Sequence, residues 1–172
     1  MIRICFVCLG NICRSPMAEF IFKDLVKKEG LAKEFLIESR ATCNDEIGND
    51  MHPGTKKMLD KHNIPYKRHY ATRLLKSDYD KYDYFIGMDN YNVISMKKLF
   101  GTSDKIYKLL DFTKNNKEID DPWYSHKFDI TYEEIYNGCK ELLNTLKKQL
   151  KVWKLWYYVK KEDYQYETYW HN

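Results

Sequence analysis

At 172 residues and 44% hydrophobic, the chain is long enough for one domain with a full core. Its formal net charge of +4 rests on lysines scattered through helical stretches; nucleic acid requires a clustered basic patch, and only the C-terminal tail comes near one. No run reaches transmembrane length, residues 1–10 hold too short an apolar core for a secretory signal, and five irregularly spaced cysteines do not make a disulfide framework. The expected setting is therefore reducing and cytoplasmic.

The apolar run Ile2–Val7 reads as a buried strand, followed by Cys8-Leu9-Gly10-Asn11-Ile12-Cys13-Arg14-Ser15. Ser15 is a good N-cap and Pro16 suits a first helical position. A helix is thus expected over 16–30, with Met17, Phe20, Ile21, Leu25 and Val26 near helical period and Gly30 as its stop. Phe35–Ile37 reads as a second strand, Ser39 to Gly48 as a loop, and Pro53–His62 as a helix with Met58 and Leu59 inward. After a turn at Asn63-Ile64-Pro65, a strand is expected within Tyr66–Thr72. Tyr82–Met88 is a further strand, Asn90–Phe100 a helix with Val93, Ile94, Met96 and Leu99 apolar, and Ile106–Leu110 another strand. Thr113–Asp121 is a polar loop, and Thr131–Leu150 a long helix opened by a capping box of Thr131 and Glu134. Strands alternating with helices imply βαβ units and a parallel sheet, with the ligand beyond the carboxyl ends of the strands. Cys8 stands at such an end.

The segment Cys8–Ser15 links a strand end to a helix start, where backbone N–H groups and the helix dipole cradle an anion. Two side chains add chemistry. The nucleophilic thiolate of Cys8 is favoured by the amides, the helix terminus and a nearby guanidinium. Arg14 ends the loop, and its fork can hold two phosphate oxygens at once. Gly10 lets the backbone pass close to the anion, Asn11 tolerates left-handed dihedrals, and the Ser15 hydroxyl can donate to the Cys8 sulfur.

The run FVCLGNICRSP, with Asp-Pro-Trp-Tyr at 121–124, resembles the low-molecular-weight protein tyrosine phosphatases over about residues 1–150. The resemblance implies an α/β fold, a three-layer αβα sandwich around a small, mostly parallel central sheet of about four strands. It implies hydrolysis of phosphotyrosine and small aryl phosphates through a phosphocysteine. The substrates would be phosphotyrosine proteins or peptides, with phosphate as product or inhibitor and no metal or cofactor. Phosphate binding falls to Leu9, Gly10, Asn11, Ile12, Cys13, Arg14 and Ser15, and catalysis to Cys8, Arg14 and Asp121.

The leaving oxygen needs a proton, and a carboxylic acid across the phosphate can supply it. Asp121, directly before Pro122, is biased to extended dihedrals. Asp120 is the rival carboxylate; the family places its acid immediately before the proline, so the resemblance selects Asp121. Trp123 and Tyr124 follow as pocket walls able to stack on a flat ring. Asp121 would then serve as base when water attacks the phosphocysteine.

By position, Asn11, Ser39 and His69 match the family's hydrogen-bonding set that holds the phosphate loop, with Ser15 as a further supporting residue, although the segment Ile64–Arg73 is one residue longer than expected. Asp89 resembles a structural aspartate that fixes a loop. Ile12 matches the apolar pocket residue of the tyrosine-specific members, and Cys13 can form a reversible disulfide with Cys8 or serve as plain filler. Asp45 stands where an aromatic often lines the rim, an acidic departure that disfavours acidic peptides. Residues 151–172 form an aromatic and basic extension outside the resemblance, read as a helix continuation with an edge strand through Tyr164 and Tyr166. It either packs on its own domain or serves as a docking or membrane-surface segment. The competing functions are a thiol-linked arsenate reductase of this fold, which lacks relay cysteines between Cys43 and Cys139, and a phosphotyrosine-binding module, which would be expected to lack Cys8 or Asp121.

Overall fold

A computed structural model describes residues 1–115 and 117–168, with side chains as far as Val152. Strand β1 (Ile2–Cys8) leads into helix α1 (Arg14–Lys28), then β2 (Phe35–Ala41), α2 (Pro53–Lys61), β3 (Tyr84–Gly87) and α3 (Asn90–Phe100). The chain continues through β4 (Ile106–Lys108), a short α4 (Pro122–Ser125) and a long α5 (Phe128–Thr168). The four strands pair in parallel in the order β2-β1-β3-β4.

β1 alternates its side chains between two cores, which is why it is apolar apart from Arg3, whose guanidinium pairs with Asp83 at 2.7 Å. Ile2, Ile4, Phe6 and Cys8 face a cluster with Met17 and Phe22 of α1, Met58 and Leu59 of α2, and Ile135, Leu142 and Leu146 of α5. Cys5 and Val7 face Phe85, Tyr82 and Met96 with α3 behind them. The three layers are thus α1, α2 and α5, the sheet, and α3. The parallel register sets Ser39 opposite Phe6 and Gly87 opposite Val7. That brings Ser39 and Asp89 to the end of the sheet where Cys8 emerges.

Several local expectations are corrected. α1 begins at Arg14, with Cys13 as N-cap and no capping side chain. Ser15 caps nothing because its hydroxyl is engaged by Cys8 and Asn11, and Pro16 still lies in the first turn, where a missing N–H costs nothing. At the other end Gly30, at φ 68°, stops the helix as expected, with its N–H on Lys27 O at 3.0 Å and that of Leu31 on Val26 O at 2.8 Å.

No strand forms over 66–72, because its backbone donors serve distant groups. The His69 N–H goes to Asp50 Oδ1 and the Thr72 N–H to Asn11 Oδ1, both at 3.0 Å. α5 starts at Phe128, so Thr131 lies within it; the hydroxyl donates to Lys127 O at 3.1 Å and forms no box with Glu134. Ile94 of α3 faces outward, 48% exposed. The backbone of α5 stays helical through Thr168, so Tyr164 and Tyr166 form no edge strand; the side chains of the tail aromatics lie outside the described residues.

Candidate active site

The loop after β1 curls around the Cys8 sulfur. The Asn11 N–H points at Cys8 Sγ from 3.3 Å, and Ser15 Oγ lies 3.0 Å away. Asn11 donates its Nδ2 to Ser15 Oγ at 2.8 Å, which leaves the hydroxyl proton for the sulfur. Asn11 sits at φ 59°, the left-handed region that its side chain tolerates better than most.

That strained residue is held from all sides. Its Nδ2 also donates to Ser39 Oγ at 2.9 Å, and Ser39 donates on to Glu19 Oε2 at 2.5 Å. Its Oδ1 accepts from Thr72 N at 3.0 Å, and His69 Nε2 lies 2.9 Å from Asn11 O and 3.1 Å from Oδ1. Burial holds the His69 imidazole below its ordinary range, against the opposing pull of Glu19. The neutral ring then donates from Nε2 to Asn11 O. Asp50 accepts from the His69 N–H. Burial alone would raise its carboxyl, but hydrogen bonds from Lys56, His69 N and Met51 N bring it down to about 2.

Arg14 is buried beside the sulfur. Nη1 contacts Asp89 Oδ2 at 2.6 Å and Ile119 O at 3.0 Å, and Nη2 contacts Asp121 Oδ2 at 2.6 Å. Burial opposes its charge, but Cys8, Asp121 and Asp89 together hold the guanidinium above its usual range. Its Nε–H, sealed from solvent, has no partner among the described residues. Asp89 also caps α3, accepting from Asn92 N at 2.7 Å, and Asp121 caps α4 through Trp123 N at 3.1 Å. Burial, then the charges of Cys8 and Asp121, push the Cys13 thiol up to about 12.

Above the sulfur is a cavity of about 210 Å³ lined by Cys8, Leu9, Gly10, Ile12, Cys13 and Arg14, by Cys43, Asp45 and Glu46, and by Asp121, Trp123 and Tyr124. Trp123 meets His52 edge-on at 5.7 Å, and His52 stacks on Phe128 at 4.9 Å. A larger cleft, of about 770 Å³, opens at the β2 edge and reaches this network through Glu19, Ser39, His69 and Thr72; the smaller one contains the sulfur and the guanidinium.

The low molecular weight phosphotyrosine protein phosphatase family model matches residues 3–152. The chain belongs to this family. It is 37% identical over 156 residues to the low molecular weight protein-tyrosine-phosphatase YfkJ of Bacillus subtilis, covering 88% of this chain and 100% of that protein. The crystal structure of YfkJ superposes with a TM-score of 0.84 over 87% of this chain and 96% of that one. The low molecular weight protein tyrosine phosphatase SP-PTP of Streptococcus pyogenes is similar too, at 39% identity and a TM-score of 0.78 over 88% of this chain and 98% of its own.

Within this phosphatase fold, Cys8, Arg14 and Asp121 meet at one pocket although Asp121 is far away in the chain. Leu9, Gly10, Ile12 and Cys13 line it, and Asp45, Trp123 and Tyr124 form its mouth, Tyr124 being 73% exposed. Ser15, Ser39 and His69 converge on Asn11, and Asp89 reaches Arg14. The sequence reading missed Glu46, whose side chain packs over Gly10, and Cys43; Glu46 directly follows Asp45, the one available signal. It also missed Glu19, four residues after Ser15 and so on the same helix face, and Thr72, which acts through its backbone and leaves no trace in the sequence.

Proposed function

We propose that this phosphatase hydrolyses phosphotyrosine esters in two steps, with Cys8 as nucleophile. The observation that carries this reading is the seat of the Cys8 sulfur, between the Asn11 N–H and Ser15 Oγ and in one pocket with Arg14 and Asp121. Cys8 attacks phosphorus in line, the S–P bond forms and the P–O bond to the tyrosine breaks. Arg14 and the loop amides hold the equatorial oxygens. The Arg14 Nε–H, without a partner among the described residues, supplies one donor. Phosphate on the guanidinium competes with Asp121 for Nη2; with the cation withdrawn the carboxylate takes up a proton from solvent, and passes it to the leaving phenoxide. Asp121 then takes a proton from the water that attacks the phosphocysteine, returning the thiolate and inorganic phosphate. Ser15 steadies the sulfur as attacking and as leaving group.

Phosphotyrosine proteins or peptides are the substrates on this reading. Its five cysteines are all free, which supports a cytoplasmic, reducing setting. An arsenate reductase relay is disfavoured, since Cys5 and Cys139 are fully buried and burial holds both thiols well above their ordinary range. Turnover of p-nitrophenyl phosphate and of phosphotyrosine peptides tests the proposal. Cys8→Ser abolishes turnover and keeps phosphate binding. Asp121→Ala lowers turnover by about two to four orders of magnitude for poor leaving groups, and an unimpaired Asp121→Ala enzyme overturns the assignment of the acid.

A further inference from the structure

The pocket mouth carries more negative charge than a site for a phosphate dianion needs. Asp45, Glu46 and Asp121 line it with Arg14 as the cation, and Arg14 is already paired with Asp89 and Asp121. Asp121 has a chemical use on the reading above; Asp45 and Glu46 have none. Asp45 is exposed. Glu46 lies across the phosphate loop, its Cγ 3.1 Å from where a β-carbon on Gly10 would stand. Its Oε2 accepts from the neutral Asn49 Nδ2 at 2.7 Å. Among the described residues neither carboxylate forms a salt bridge with Lys or Arg; Asp45 has the Cys43 thiol as a hydrogen-bond partner, and both carboxylates line the mouth as negative charge.

Resting on the phosphatase reading of the site, we propose that Asp45 and Glu46 select phosphotyrosine flanked by lysine or arginine. A phosphotyrosine side chain seated on Cys8 places its own backbone at the pocket mouth, and its neighbours in the peptide then pass the two carboxylates. A cationic neighbour pairs with them and offsets their repulsion of the incoming dianion. An acidic neighbour adds repulsion. Trp123 and Tyr124, at the same mouth, supply apolar surface to the tyrosine ring and no charge of their own to the flanks.

An exposed ion pair changes affinity by up to about fivefold. Two rim carboxylates discriminating arginine from glutamate flanks therefore give a preference of about tenfold in kcat/KM at low salt. Because the rim is solvated, the preference shrinks towards unity as the screening length falls to about 3 Å at molar salt.

The experiment compares two synthetic phosphotyrosine peptides, identical except for arginine or glutamate on both sides of the phosphotyrosine, with the full chain at low and high salt. The expected result is an arginine preference of about tenfold that collapses with salt and falls within about twofold in the Asp45→Asn/Glu46→Gln double variant. Equal rates, a glutamate preference, or a preference that survives the double variant overturns the proposal. Affinities of the same peptides for a Cys8→Ser variant read the same ratio without turnover. Loss of turnover on p-nitrophenyl phosphate thus overturns the phosphatase reading alone, while equal affinities overturn the rim.

Discussion

Replacing Asn11 by alanine tests the idea that one buried amide shapes the phosphate loop. The side chain is sealed from solvent and links Ser15, Ser39, Thr72 and His69. Each hydrogen bond contributes about 1 kcal/mol net, so truncation removes about 3–4 kcal/mol. An alanine at φ 59° adds about 1 kcal/mol or more of left-handed strain. The expected loss is about 4–5 kcal/mol, a large share of the roughly 5–15 kcal/mol typical of a domain. Asn11→Gly loses the same hydrogen bonds but relieves the strain, part of which is offset by the greater freedom of glycine in the unfolded chain. It should therefore be more stable than Asn11→Ala by about 0.5–1 kcal/mol. Urea unfolding followed by circular dichroism gives each value from midpoint and slope. An alanine variant within about 1 kcal/mol of the parent, or a glycine variant less stable than the alanine one, refutes the reasoning.

The stability of this phosphatase should fall as pH drops below about 6.5, the ordinary range of histidine, because the unfolded chain then binds a proton that the buried His69 refuses. The contribution of Asp50, whose carboxyl is held at about 2, is intact above its ordinary value of 3.8 and is lost as pH falls from there; urea midpoints across this range read both effects, and a flat profile contradicts them. Gly54→Ala puts a β-carbon 2.6 Å from the Phe128 ring. The ring must shift, and with it His52 and Trp123, so the variant should lose about 1–3 kcal/mol of stability and bind aryl phosphates more weakly, seen as a raised KM. A chain ending at Val152 should keep p-nitrophenyl phosphate turnover, because the family match ends there and Leu150 is the last buried core residue among the described ones; an inactive truncated chain would show that the extension belongs to the catalytic domain.

Adjacent residues by themselves determined the strand–loop–helix unit. An apolar run, a loop holding Gly10 and Asn11, and a helix start each follow from local sterics and from the unpaired amides of a first turn. The alternation of strands and helices determined a parallel sheet, and with it the end of the sheet at which Cys8 stands. Tertiary structure decided what that loop is tied to. The partners of Asn11 come from α1, β2 and the segment 66–72, and those of Arg14 from the loops after β3 and before α4. No periodicity encodes such pairings, since they depend on which backbone and side-chain groups the folded sheet brings within hydrogen-bond reach. The same reason explains why 66–72 has strand-like composition and no strand. Its donors are claimed by Asn49, Asp50 and Asn11, a competition that exists only once the chain has closed around the phosphate loop.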